Sequence, residues 1–101
     1  MALPAATTKV LLYTRPISMA WGLDRMSRLC REETGSAPQV GTAFLFFNRA
    51  HDRLRIYFRS ESEDDFVEKL LKKGRFLLPT AAPGCKFVQI DRSKLGTLFR
   101  S

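Results

Sequence analysis

The sequence has few of the residues from which catalytic and metal centres are built. It contains one histidine, His51, and two cysteines, Cys30 and Cys85. General acid-base chemistry needs a partner within hydrogen-bond reach, and a zinc site needs several histidine or cysteine ligands at close spacing. We therefore predict neither centre and interpret His51 as a turn residue. Two cysteines are also too few for the disulfide framework of a small secreted domain, so free thiols are expected.

Long apolar runs and glycine-rich loops are also lacking. No stretch approaches the roughly 18 consecutive apolar residues of a membrane span, and residues 1–9 lack the basic opening and apolar stretch of a signal sequence. The six glycines do not make a phosphate-binding spacing. These absences predict a cytoplasmic protein that holds no cofactor, carries no membrane anchor and is not an enzyme.

The one concentration of carboxylates has two interpretations. The residues are Glu61, Glu63, Asp64, Asp65 and Glu68. Paired carboxylates can hold Mg²⁺ in a nuclease, which leaves a metal-dependent nuclease as a distant third hypothesis. Acidic residues also stabilise the first turn of a helix through the helix dipole, and this structural interpretation is the one we favour. No metal site is therefore predicted.

The chain is rich in hydrophobic and aromatic residues. Hydrophobic residues make up 45% of its 101 positions, and eight of the residues are phenylalanine. This content is enough for one hydrophobic core, and the length leaves little room for a second. We expect residues 1–101 to form a single α+β domain with a core from about residue 8 to residue 100.

Periodicity predicts the elements of the first half. Strands are expected at residues 10–13 and 42–47, with a helix between them that begins after Ser18 and ends near Gly35. Leu54, Ile56 and Phe58 alternate with polar residues, which indicates a strand with one buried and one exposed face. With the strand before it, this strand forms a hairpin.

The second half is predicted to hold a second main helix. Ser62 and Asp65 resemble a capping box, and Gly74 is placed to end the helix. Short strands are expected at residues 76–78 and 86–90, followed by a short C-terminal helix capped by Asp91 that carries Leu95, Leu98 and Phe99. The predicted fold is therefore a mainly antiparallel sheet of four to five strands with two main helices and a short C-terminal one.

A net charge of +7 indicates that the partner of this protein is anionic. The basic residues concentrate on the predicted hairpin, where Tyr57 lies among arginines. Guanidinium groups pair with phosphates and an aromatic ring stacks on bases, so the exposed face is a candidate nucleic-acid site. Charge on an exposed strand also discourages aggregation, which is the competing interpretation. The candidate nucleic-acid-binding residues are Arg49, Arg53, Arg55, Tyr57, Arg59 and Arg75.

Three segments together resemble a known family. They are ISMAWGLDRMSRL from Ile17, GTAFLFFNRAHDRLRIYF from Gly41 and KLLKKGRFLLP from Lys69. Over residues 10–79 the chain is similar to the small accessory protein of TnpB or Orf2 type from the sixty-six family of bacterial insertion sequences. The residues that carry this pattern are Asn48, Arg49, Asp52, Arg53, Gly74, Arg75 and Phe76.

The resemblance implies a cytoplasmic bacterial protein that assists transposition without catalysis of its own, with DNA or the transposase as its partner. Ser18 and Ala20–Trp21 depart from the family pattern, which suggests a divergent or repurposed copy. The alternative hypothesis is therefore a protein-interaction module without nucleic-acid binding. In that hypothesis Trp21 is the partner-binding residue, because tryptophan often anchors interfaces, and the partner is the transposase or a second copy of the chain.

Overall fold

A five-stranded sheet with one helix packed on it forms the framework of the protein, for which a computed structural model describes residues 7–61, 63–76, 84 and 86–91. The strand order is β4-β3-β2-β1-β5. The elements are β1 (Lys9–Tyr13), α1 (Leu23–Thr34), β2 (Thr42–Phe47), β3 (Arg53–Arg59), β4 (Asp64–Leu70) and β5 (Phe87–Ile90). β1 and β2 are parallel, and the other three neighbouring pairs are antiparallel. The α+β class is confirmed, with a sheet that is mixed.

Helix α1 connects the two parallel strands and starts later than expected. It begins at Leu23 after Gly22, and the expected start behind Ser18 is wrong. The Ser18 hydroxyl instead accepts a hydrogen bond from the Ala20 amide at 3.1 Å, inside a turn. The helix ends as expected at Gly35, which has a φ of 81°. Glycine adopts this left-handed conformation without a steric penalty, which explains the stop.

The second predicted helix is wrong, because most of that segment is strand β4. Ser60 closes a tight turn in which its amide donates to the Glu63 carbonyl at 2.8 Å. β4 then pairs along the whole of β3, from Arg59 opposite Asp64 to Arg53 opposite Leu70. The capping signals in the sequence are worth little beside a full ladder of backbone hydrogen bonds on the open edge of β3. The acidic residues therefore lie in a hairpin and not at a helix dipole.

Each face of the sheet has its own hydrophobic cluster. On one face Val10, Leu12, Ala43, Leu45, Phe47, Leu54, Ile56, Phe76 and Ile90 are buried together. On the other face the helix supplies Met26 and Cys30, which pack with Tyr13, Ile17, Phe44, Phe46 and Tyr57. β2 lies at the centre of the sheet and contributes to both clusters, as its unbroken apolar sequence predicts.

The C-terminal expectations fall partly outside the described residues. β5 confirms the strand expected near residues 86–90. Phe76 is buried but lies outside any strand, and the rest of the strand expected at 76–78 is not described. The predicted C-terminal helix with Leu95, Leu98 and Phe99, and Cys85, lie outside the described residues as well. In the part of the chain that is described, no helix is long and apolar enough to cross a membrane.

Candidate nucleic-acid interface

Arg55 is buried, so its expected exposure to solvent is wrong. Its side chain is only 5% exposed. The guanidinium donates to the backbone carbonyls of Trp21 and Met19 and to the Glu68 carboxylate, the last at 2.7 Å. It also lies 4.4 Å above the centre of the Phe66 ring. Through Nη1 and Nη2, Arg55 therefore ties the loop before α1 to strands β3 and β4, while its buried Nε has no hydrogen-bond partner among the described residues.

Tyr57 is buried too, and its expected position among exposed arginines is wrong. The residue is 0% exposed and its ring centre lies 5.9 Å from that of Phe44. Burial raises the pKa of the phenol, whose hydroxyl is directed at Ser27 and Asp64. The alternation in β3 predicted one exposed face, but α1 covers that face. A base cannot stack on this ring in the structure.

Arg59 is held by a neighbouring strand. Its Nε donates to Asp64 Oδ1 at 2.6 Å, and its Nη1 donates to the Pro38 carbonyl at 3.2 Å. The hydrogen bond between Arg59 and Asp64 raises the pKa of Arg59 and lowers the pKa of Asp64. The guanidinium is thus paired inside the protein, and the expectation that it stands free in water is wrong.

Arg49 and Arg53 lie on a turn that Asn48 closes. The Asn48 Oδ1 accepts hydrogen bonds from the amides of Asp52 and Arg53 at 3.1 and 3.0 Å, and its Nδ2 donates to the Asp52 carboxylate at 2.6 Å. His51 takes a positive φ of 58° and is a turn residue, as predicted. Arg49 is exposed at the tip, and the Arg53 side chain is 44% exposed. Both side chains are accessible to a ligand, and the Arg53 guanidinium also forms a long ion pair with Glu68 at 3.7 Å.

The segment after β4 joins this turn through its backbone. The Leu71 amide donates to the Asp52 carbonyl at 2.8 Å, and the Phe76 amide donates to the His51 carbonyl at 2.7 Å. The Phe76 ring is buried, with its centre 5.3 Å from that of Phe47. Residues 19 and 25 positions apart in the sequence are thereby fixed side by side. Gly74, with a φ of 78°, provides the bend that brings the chain back.

Together these two segments form one positively charged end of the sheet, which we name the basic end. Its members are Arg49, Arg53, Lys72, Lys73 and Arg75, all exposed. Across residues 48–53 and 71–76 the only acidic residue is Asp52, whose carboxylate accepts the Asn48 amide. In the sequence these basic residues belong to two separate segments. Only the strand pairing brings the segment with Lys72 and Lys73 beside the turn that carries Arg49.

Trp21 lies near the start of α1 and is half-buried. Its indole packs against the cluster on the helix side of the sheet, and the Arg25 guanidinium stacks 4.3 Å from the ring centre. Trp21 lines a depression with Arg25, Arg28, Leu29 and Glu32. The indole is therefore partly available to a partner, while the backbone carbonyl of the same residue holds Arg55.

The other residues that could carry chemistry are buried or paired within the protein. Cys30 is fully buried, and burial raises the pKa of its thiol to about 12. The carboxylates of Asp64 and Glu68 bind Arg59 and Arg55. Within residues 7–61, 63–76, 84 and 86–91, no three histidine, cysteine, aspartate or glutamate residues are grouped to hold a metal ion.

The fold and its charged end define a class: a small basic α+β protein whose accessible side chains suit the binding of an anionic surface. The chain belongs to the IS66 Orf2 like protein family, whose model matches residues 8–101. This family makes it a transposition accessory protein of an insertion sequence. Neither the search of curated proteins nor the search of solved structures finds a match.

Proposed function

We propose that this accessory protein binds DNA through the basic end and is not itself an enzyme. The supporting observation is the grouping of five exposed basic side chains on two segments that backbone hydrogen bonds hold together. Phosphate groups are spaced along DNA at a few ångströms, and Lys and Arg side chains on a fixed frame neutralise several at once. Of the nucleic-acid-binding residues predicted from the sequence, the proposal keeps Arg49, Arg53 and Arg75. It adds Lys72 and Lys73.

This mode of binding carries little sequence information. Phosphate contacts fix the position and orientation of a protein on a duplex, whereas base edges provide specificity. The basic end has no exposed aromatic or amide side chain directed outward, since Phe76 and Asn48 are engaged in the fold. The basic end therefore suits contacts with phosphate groups rather than the recognition of a base sequence.

A salt titration with a short labelled duplex tests the proposal. If the five basic side chains each neutralise a phosphate, the logarithm of the affinity falls against the logarithm of the salt concentration with a slope of about −4 to −5. The Lys72→Ala/Lys73→Ala variant should bind more weakly and reduce the magnitude of the slope by about two. Fluorescence anisotropy measures both quantities.

A matched control removes two positive charges elsewhere. Lys9 and Arg31 are exposed residues of β1 and α1 outside the basic end. The Lys9→Ala/Arg31→Ala variant carries the same net charge as the Lys72→Ala/Lys73→Ala variant, so it should retain nearly the wild-type slope. Equal losses in the two variants would attribute binding to net charge alone and would overturn the assignment of the basic end.

A second candidate function rests on Trp21. The half-buried indole borders a depression on the helix side, which suits a protein partner such as the transposase of the same element. Replacement of the indole by Trp21→Phe keeps an aromatic ring in the cluster but shortens it at the surface. We expect this variant to lower the affinity for the purified transposase in calorimetry and to leave DNA binding unchanged. An unchanged transposase affinity would remove Trp21 as a contact.

A further inference from the structure

Strand β4 is an edge strand whose outer side carries no neighbour among the described residues. It stands last in the strand order, next to β3 alone. Two of its apolar side chains are accessible: Val67 is 40% exposed and Leu70 is 56% exposed. Exposed apolar residues on an unpaired edge favour the addition of another strand, because the backbone groups of the edge still lack sheet partners.

The two ends of β4 carry charges of opposite sign. Asp64 and Asp65 open the strand, Lys69 lies near its end, and Lys72 and Lys73 follow. An antiparallel copy of the same strand therefore presents acidic residues to basic ones. A parallel copy in the same register would place like charges beside each other, which destabilises a strand pair.

One register places opposite charges together and also pairs the exposed Val67 with its own copy. With Val67 opposite Val67 of the second copy, Asp65 lies opposite Lys69, and by symmetry Lys69 lies opposite Asp65. The same register brings the turn with Glu61 near Lys73. Neither Asp65 nor Lys69 takes part in the ion pairs of the described residues. The Asp65 Oδ1 atom accepts a hydrogen bond from the Phe66 amide at 2.8 Å, which leaves Oδ2 for an ammonium group.

From this complementarity we infer that two copies of the chain pair through β4, with Val67 on a two-fold axis. The pairing extends each five-stranded sheet into one ten-stranded sheet. The interface is isologous, as is usual in protein dimers, because the same residues contribute from both copies. Because the two β4 strands run in opposite directions, the two basic ends lie at opposite ends of the paired strands. The inference does not depend on DNA binding.

Charge reversal tests the register. The dimer contains two equivalent pairs of Asp65 with Lys69 of the other copy. Lys69→Glu turns each of them into a pair of carboxylates, and Asp65→Lys turns each of them into a pair of ammonium groups. Each single variant should weaken self-association by about tenfold or more, because attraction becomes repulsion at two pairs. The double variant Asp65→Lys/Lys69→Glu should restore it. Sedimentation equilibrium at physiological salt measures the constants, and circular dichroism verifies that each variant is folded.

A cross-linking variant tests the same register without a change of charge. In antiparallel strands, directly opposite residues have Cα atoms about 4.5 to 5.5 Å apart, within the range for a disulfide. Val67→Cys should therefore form a covalent dimer under mild oxidation. Gln89→Cys is the matched control, because Gln89 is exposed on β5, the strand at the opposite edge of the sheet.

The outcomes separate clearly. Dimers of the wild type, weakened by both single variants, restored by the double variant and cross-linked through Val67→Cys, support the inference. A wild type that stays monomeric at high concentration overturns it. A dimer that ignores Lys69→Glu, or one that the double variant fails to restore, shows association through another surface and overturns the register. DNA binding by a monomer would leave the proposed function intact.

Discussion

Arg55 contributes to this protein as a structural residue. Its guanidinium group reaches two backbone carbonyls, a carboxylate and an aromatic face from a buried position. Arginine suits such a place, because its planar group keeps its charge and offers donors in fixed directions. These bonds fix the loop before α1, because the Met19 and Trp21 carbonyls accept from the same guanidinium group.

Replacement of Arg55 by lysine should destabilise the fold. Arg55→Lys cannot reach both carbonyls and Glu68 at once, so we expect a loss of about 3 kcal/mol in the free energy of unfolding, as for a broken buried charged network. Arg53→Lys is the control on the same strand. Its side chain is 44% exposed and its ion pair with Glu68 is long, 3.7 Å, so a change below about 0.5 kcal/mol is expected. Urea unfolding measures both, and equal losses would contradict a structural role for Arg55.

At the scale of elements, the β3–β4 hairpin is the part that the sequence predicted least well. The segment from Ser62 to Gly74 has helical spacing, a capping pattern and a terminal glycine, and all of these are local signals. Strand pairing depends on a partner that local signals do not include. Here the partner is β3, the preceding strand, joined to β4 by the short turn at Ser60. Cross-strand pairs such as Arg59 with Asp64 then stabilise the hairpin.

The Arg59–Asp64 pair predicts a pH dependence of the hairpin. The hydrogen bond from Arg59 lowers the pKa of Asp64 in the folded protein, so the pair stabilises the fold above the ordinary aspartate pKa. That stability is lost as the pH falls through the lowered pKa, and it should fade as pH drops below about 4. Asp64→Asn should therefore lose less stability than the wild type between neutral and acidic pH.

Unfolding in urea at neutral pH and at pH 3 provides the comparison for this pair. Glu63→Gln is the control in the same turn, because the Glu63 side chain is exposed and makes none of the ion pairs of the described residues. It should follow the wild type across the pH range. A wild type and an Asp64→Asn variant with the same acid sensitivity would show that the pair adds nothing to the fold.

At the scale of the whole molecule, the basic end is assembled from parts that are separate in the sequence. The turn at residues 48–53 and the segment at 71–76 meet because β3 and β4 pair along their whole length. The end of β4 therefore lies beside the start of β3. The DNA-binding proposal belongs to this scale, since it requires both segments. The same geometry leaves Glu61 and Glu63 at the other end of β4, and the proposed pairing of two copies depends on this separation of charge.

The sequence by itself determined the α+β class, the central strand β2, the apolar face of α1, the family and the excess of positive charge. These follow from composition, periodicity and motifs, which are local or additive properties. Only the tertiary structure decided that residues 64–70 are a strand, that Arg55 and Tyr57 are buried on the helix side of the sheet, and that the segment with Lys72 and Lys73 lies beside the turn that carries Arg49. Which face of a strand meets a helix, and which segment completes a sheet edge, depends on contacts between distant residues, and no single segment contains that information.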